Sequence, residues 1–265
     1  MMEKRHCLVI GGTRGIGRAF VRLLAGQADH ALSVIGRRPG SESDEPLPGV
    51  RSWTADVLDE ERLTVVLREV MRAQGKLHEL VCFQKYRGDG EAWDGELATS
   101  LTATKRLIER LAEEFDPMAD DRAIVLVSSI ASRFVAEEQP ASYHVAKAGL
   151  VQMARYYATT LGPRGIRVNA VSPGTILKAE SRAFYLANEP LAELYRRITP
   201  LDRMGTAEEV AQDIAFLCSP KASWITGQNL VVDGGVSLQT HESMARKLAD
   251  LGQLRVTRQP SASPR

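Results

Sequence analysis

Six short runs of Val, Ile and Leu recur along this chain, apolar at nearly every position: CLVIG from Cys7, ALSVIG from Ala31, ELVCF from Glu79, AIVLVS from Ala123, IRVNAVS from Ile166 and NLVVDGG from Asn229. A strand with one face in water alternates apolar and polar residues. Unbroken runs suit strands covered on both faces, as in a parallel sheet. The stretches between them keep a helical period. Gly15 to Ala25 sets Ile16, Ala19, Phe20, Leu23 and Leu24 on one stripe, and Glu60 to Met71 does the same with Leu63, Val66, Leu67 and Val70. Strand and helix therefore alternate, which predicts a single-domain α/β protein with a Rossmann-type, doubly wound parallel sheet whose ligands lie beyond the carboxyl ends of the strands.

The composition agrees with one such domain. The chain has 265 residues, 44% hydrophobic and 25% charged, enough to bury a core. Its 34 Lys and Arg against 33 Asp and Glu leave a net charge of +1, which excludes a protein built mainly to neutralise nucleic-acid phosphates. Cys7, Cys82 and Cys218 are scattered and sit in apolar segments; they read as buried reduced thiols in a cytoplasmic protein, not as disulfides, metal ligands or nucleophiles. The N-terminus lacks a signal-peptide core, and no run approaches the roughly 18 apolar residues of a membrane span. The expected organisation is a domain over 1–237 and a partly flexible extension over 238–265. Within the domain, Pro39 to Gly49 is an exposed connection, and the charge-mixed stretch at about 176–205 is a candidate lid over a substrate.

The first apolar run ends at Gly11, and GGTRGIG opens the first helix, so Gly11, Gly15 and Gly17 form a G-x-x-x-G-x-G turn. Such a turn brings backbone amides and a helix N-terminus against a pyrophosphate, which makes it a dinucleotide site candidate. Thr13 and Ile16 belong to the same turn. The second run ends in Gly36, Arg37 and Arg38, where an acid would select an unphosphorylated ribose. Guanidinium groups there, with Arg14 approaching from the turn, favour a 2′-phosphate; NADP(H) is therefore preferred and NAD(H) possible. Asp56, beside Val57, is placed to accept from the adenine amino group or to cap the helix that begins near Asp59. No metal is implied.

The segment SYHVAKAGLVQMARYYATTL reads as a helix that sets Tyr143 and Lys147 at i and i+4, on one face. A neighbouring ammonium and an oxidised nicotinamide both favour a phenolate, which would move Tyr143 toward use as an acid or base. Upstream, AIVLV ends at Ser128 and Ser129, where a hydroxyl can donate to a substrate oxygen.

The glycine turn, the serine pair and the Tyr-x-x-x-Lys helix, in this order, resemble the short-chain dehydrogenase/reductase family. RVNAVSPG from Arg167, PLDRMGTAEEVA from Pro200 and ITGQNLVVDGG from Ile225 extend the resemblance over roughly residues 5 to 237. It implies a seven-stranded sheet, hydride transfer between a nicotinamide and a carbonyl or secondary alcohol, and a homotetramer or homodimer. Tyr143 would be the acid or base, Lys147 would hold the ribose hydroxyls and lower the Tyr pKa, and Ser129, preferred to Ser128 by its place in the motif, would orient the carbonyl. Asn169, Pro173 and Gly174 would shape the nicotinamide pocket, with the backbone near Ile176 meeting the carboxamide.

Three positions depart from the family. Cys82, Phe83, Gln84 and Lys85 replace Asn-Asn-Ala-Gly; Ser100 stands for the Asn that holds a relay water; Lys178 stands where a Thr often is. These departures motivate an alternative, a cofactor-binding protein with little catalysis. An enoyl reductase expects six residues between Tyr and Lys; three separate them here. His144 is expected at the surface or an interface with no catalytic role, Tyr156 and Tyr157 as packing residues within the chain or at a subunit contact, and the three tryptophans as structural. The substrate is a small carbonyl or alcohol of open class.

Overall fold

The computed structural model describes residues 4–38, 47–88 and 92–249, less the Leu186 side chain. Most of the Pro39–Gly49 connection and the chain from 250 onward lie outside the described residues. The six runs become β1 (Arg5–Ile10), β2 (His30–Gly36), β4 (Glu79–Cys82), β5 (Arg122–Val127), β6 (Ile166–Pro173) and β9 (Asn229–Val232). A further strand, β3 (Val50–Thr54), completes a seven-stranded sheet in the order β3-β2-β1-β4-β5-β6-β9, with every pair parallel. β3 has no continuous apolar run because it is an edge strand whose residues are largely exposed.

The pleat sends neighbouring residues to opposite faces. In β5, Ile124 and Leu126 join one core with α2 (Glu60–Gln74), α4 (Ala103–Leu111) and α5 (Ala141–Leu161). Val125 and Val127 join the other, with α1 (Gly15–Ala25) and α8 (Ala207–Cys218). Both faces are thus covered. Asp59 caps α2, its carboxylate accepting from the Arg62 amide at 3.0 Å. The charge-mixed stretch at 176–205 is mostly regular structure. It holds α6 (Ala179–Ala187) and α7 (Glu189–Ile198), and its first strand, β7 (Ile176–Leu177), pairs with β8 (Gly205–Thr206). The C-terminal segment carries α9 (His241–Leu248), which packs on α7.

At the amino-terminal end of the sheet, charges close on one another. Arg5 donates to Glu79 at 2.7 Å and to Asp121 at 3.1 Å, while Arg167 reaches Asp121 at 2.6 Å and the Leu217 carbonyl at 2.6 Å. Burial pushes the Glu79 carboxyl up, but His30 and Arg5 outweigh it and leave its pKa below the ordinary value. The three thiols are buried and free, and burial lifts that of Cys82 to about 12.

The packing expected of Trp224 is not met within this chain, where it is 98% exposed; Tyr156 is exposed on α5, where a subunit contact stays open to it, and Tyr157 is buried and donates to Glu109 at 3.1 Å.

Candidate active site

The strand order reverses between β1 and β4, and beyond the carboxyl ends there lies a cleft of about 420 Å³. Adjacent parallel strands whose crossovers leave in opposite directions open such a crevice. One wall is the glycine turn. Gly11 has φ +85° and Gly15 φ +54°, and a Cβ at Gly17 would lie 2.5 Å from the Gly11 carbonyl oxygen, so this sharp turn admits no side chain there. The Gly15 amide already binds a carboxylate, donating its hydrogen to Glu180 Oε1 at 2.8 Å. An amide at a helix start that holds one anion suits another, and the cradle fits the diphosphate of a dinucleotide.

Of the residues nominated from sequence, Gly11, Thr13, Arg14, Gly15, Ile16, Gly17, Arg37, Arg38, Val57, Ser129, Tyr143, Lys147, Pro173, Gly174 and Ile176 all line this one cleft. Three do not. Asp56 turns its carboxylate to the Leu58 amide at 2.9 Å, leaving Ala55 and Val57 at the wall. Asn169 lies in the middle of β6, accepting from Gln228 N at 3.0 Å and donating to Ile225 O at 2.8 Å; it ties down a loop rather than shaping the nicotinamide pocket.

Ser100 is the third. It falls in a π-helical turn, Ala98–Thr102, that joins α3 (Ala92–Leu97) to α4. The extra residue in that turn rotates Thr99 into the cleft wall, while Ser100 is buried behind it and donates to Glu96 at 2.5 Å. The proposed relay position is therefore turned away from the cleft.

The reacting side chains come from β5 and α5. Ser128 donates to the Lys147 carbonyl at 2.7 Å, which pins the end of β5 to the helix. Ser129 accepts from the Ala131 amide at 3.2 Å and keeps its own hydrogen to donate. Lys147 is buried; its Nζ donates to the Val127 carbonyl at 3.1 Å and lies 5.5 Å from the centre of the Tyr143 ring. Burial pulls the Lys147 pKa down to about 8.

The Tyr143 phenol departs from expectation. Its pKa is raised, chiefly by burial and further by the Glu96 carboxylate, with a hydrogen bond to Ser129 working in the opposite sense. The protein alone thus keeps this phenol protonated. His144 is half-buried; its Nδ1 donates to Pro140 O at 3.0 Å and its Nε2 accepts from Ala136 N at 2.9 Å, holding the loop before α5.

Glu96 and Thr99 were not legible from spacing. An acid four residues before Ser100 is the signal the sequence offers, but only the π-turn reveals which of these side chains faces the cleft.

A doubly wound sheet with an anion-binding glycine turn and a Ser, Tyr and Lys gathered across its crevice defines a nicotinamide-dependent oxidoreductase architecture. Comparison with known proteins agrees. The family model described as enoyl-(acyl carrier protein) reductase matches residues 11–237. Isoepoxydon dehydrogenase patN of Aspergillus clavatus is 31% identical over 253 residues, spanning 90% of this chain and 97% of the relative. The 3-oxoacyl-[acyl-carrier-protein] reductase MabA of Mycobacterium avium is 33% identical over 241 residues, spanning 88% and 90%. A short-chain type dehydrogenase/reductase structure from Mycobacterium ulcerans superposes with a TM-score of 0.77 at 27% identity, covering 92% of this chain and 94% of that one. The chain belongs to the short-chain dehydrogenase/reductase family, and so to the NAD(P)-dependent oxidoreductases that act on carbonyl or alcohol groups.

Proposed function

We propose that the protein reduces a carbonyl with NADPH, or oxidises the corresponding secondary alcohol in reverse, using Ser129, Tyr143 and Lys147. The observation that carries this reading is their convergence in the cleft that also holds the glycine turn. The dinucleotide supplies or takes the hydride. Ser129 donates to the carbonyl oxygen and orients it, and Tyr143 delivers the proton that turns that oxygen into a hydroxyl. A phenol held above its ordinary pKa enters the reduction already protonated, which suits a donor. Lys147, anchored on Val127 O, would hold the ribose hydroxyls and return charge to the phenol once the dinucleotide is bound.

NADPH is assigned over NADH because Arg37 and Arg38 stand at the cleft where β2 ends, with Arg14 also in the lining, and the position after β2 carries no acid. The Tyr-x-x-x-Lys spacing supports carbonyl chemistry over enoyl reduction, despite the wording of the family description. Assembly as a homotetramer or homodimer in the cytoplasm fits the exposed Val145 and Tyr156 on α5 and the three free, buried thiols.

The test is single-turnover absorbance at the nicotinamide band with Tyr143→Phe. We expect turnover to fall by about 10²–10⁴-fold, the contribution typical of a positioned acid, while NADPH binding followed by fluorescence persists. Undiminished turnover removes the assignment.

A further inference from the structure

Family chemistry gives no task to Lys85, the last of the four residues that replace the small motif after β4. Its Nζ lies 4.7 Å from the centre of the Tyr143 ring and its side chain lines the cleft, so two lysines, 85 and 147, flank one phenol. Among the described residues no ion pair neutralises Lys85. Its pKa is lowered, first by withdrawal from water and then by Arg87, with the Glu96 carboxylate opposing. That same carboxylate also acts on Lys147 and binds Ser100, so a single acid serves two cations.

The anions of a bound dinucleotide have receivers elsewhere. The glycine-turn amides and Arg14 would hold the diphosphate, and Arg37 and Arg38, at the end of β2, would meet the ribose phosphate. Lys178 sits beside the turn, where a Cβ on Gly15 would lie 3.5 Å from its Cδ. Lys85 follows Gln84, which packs against Gly11 of the turn, and its charge is felt at Lys178, but its Nζ is carried to the Tyr143 ring, beside the proton donor, where the nicotinamide offers no negative charge.

We propose that Lys85 is a specificity residue that receives a substrate carboxylate, so that this chain prefers 2-oxo or 3-oxo acids over neutral ketones. The proposal rests on the carbonyl-reductase reading. A carboxylate near the carbonyl would pair with the ammonium while its oxo oxygen meets Ser129 and Tyr143, and an ammonium that is partly desolvated gains more from such a pair than one in bulk water.

The experiment measures kcat/KM for 2-oxo and 3-oxo acids and for their methyl esters at saturating NADPH and low salt, in the wild type, Lys85→Met, Lys85→Arg and Lys178→Met. We expect an acid-to-ester ratio of about tenfold, the scale of one partly exposed charge-assisted contact. It should collapse toward one in Lys85→Met and survive in Lys85→Arg and Lys178→Met. A ratio near one in the wild type overturns the proposal, as does a ratio that persists in Lys85→Met or disappears only in Lys178→Met.

A second readout does not need turnover: displacement of nicotinamide fluorescence in the NADPH-loaded wild type and Lys85→Met by the matching hydroxy acids and hydroxy esters. Acid-selective binding that Lys85→Met loses supports the Lys85 site even if nothing is reduced, in which case the reductase reading alone fails. Equal binding of acid and ester overturns the site. A loss of NADPH affinity in Lys85→Met with acid selectivity intact gives Lys85 to the dinucleotide and also overturns it.

Discussion

The two ends of the central sheet treat buried charge in opposite ways. At the amino-terminal end, Arg5, Glu79, Asp121, Arg167 and His30 are joined by contacts of 2.6 to 3.5 Å and by backbone carbonyls, a closed network packed beneath the first turns of the strands. At the carboxyl end, Lys147 is equally buried but holds one carbonyl, Lys85 leans on a ring, and Arg37 and Arg38 stand at the cleft. The same strands thus carry a finished electrostatic arrangement at one end and an unfinished one at the other. Desolvation costs several kcal/mol per buried ion unless partners offset it; the first end offsets it within the chain, and the second leaves it for a ligand to offset.

The comparison breaks most readily at Glu79. Replacing it in Glu79→Gln leaves Arg5 with Asp121 and the Cys218 carbonyl but without its buried acid, and His30 likewise, and should lower stability by about 3–5 kcal/mol, the range for breaking a buried pair. The sign with pH follows from a carboxyl held below its ordinary value of 4.5. Its contribution is complete above pH 4.5 and is lost as pH falls through the lower folded value, so the wild type and the variant should converge in acid. Urea unfolding at several pH values measures this; a variant within 1 kcal/mol of the wild type at pH 7 would mean that the network is decoration.

Lys147→Met sharpens the contrast because its effect should have the opposite sign. A lysine whose pKa falls from 10.5 to about 8 pays for its burial wherever it is charged. Removing it should stabilise the ligand-free protein by about 1–3 kcal/mol, as apolar replacement of buried charges often does, while turnover is lost. Below pH 8 the folded and unfolded states are both protonated and the full cost applies. Between 8 and 10.5 the unfolded chain binds the extra proton, wild-type stability rises with pH, and the variant's advantage should shrink. Unfolding curves at pH 7 and pH 10 decide it, and a destabilised variant would place Lys147 with the structural charges.

How far each end is legible in sequence follows from this difference. Strand and helix alternation, the glycine turn and the Tyr143–Lys147 spacing are local patterns, and all of them survive in the fold. β3 escaped because edge exposure erases the apolar run that marked its neighbours. The amino-terminal network escaped because Arg5, Glu79, Asp121 and Arg167 are brought together only by strand register. Ser100 aligns with a functional position by counting, yet the π-turn at Ala98–Thr102 changes the phase of the helix and gives the cleft to Thr99. In the protein alone the Tyr143 phenol rises rather than falls, because sequence spacing reveals Lys147 but not the burial that outweighs the Ser129 hydrogen bond, nor the smaller push of the Glu96 carboxylate.

The smallest effect tests whether the carboxyl end is truly open to a ligand. Glu180, in the first turn of α6, accepts the Gly15 amide hydrogen at 2.8 Å, so a carboxylate from the candidate lid rests where a dinucleotide phosphate would bind. A phosphate reaching that amide must displace the carboxylate and also meets its charge. Glu180→Gln removes the repulsion and weakens the contact to be displaced, and should tighten NADPH binding by about 2–5-fold, near the 0.3–1 kcal/mol of an exposed charge at a helix N-terminus. The gain should shrink in high salt, since the site is exposed to screening. Fluorescence titration at two salt concentrations reads both. If the substitution loosens NADPH instead, Glu180 helps to close α6 over the bound dinucleotide, and this end of the sheet completes its contacts with the lid in place rather than by expelling it.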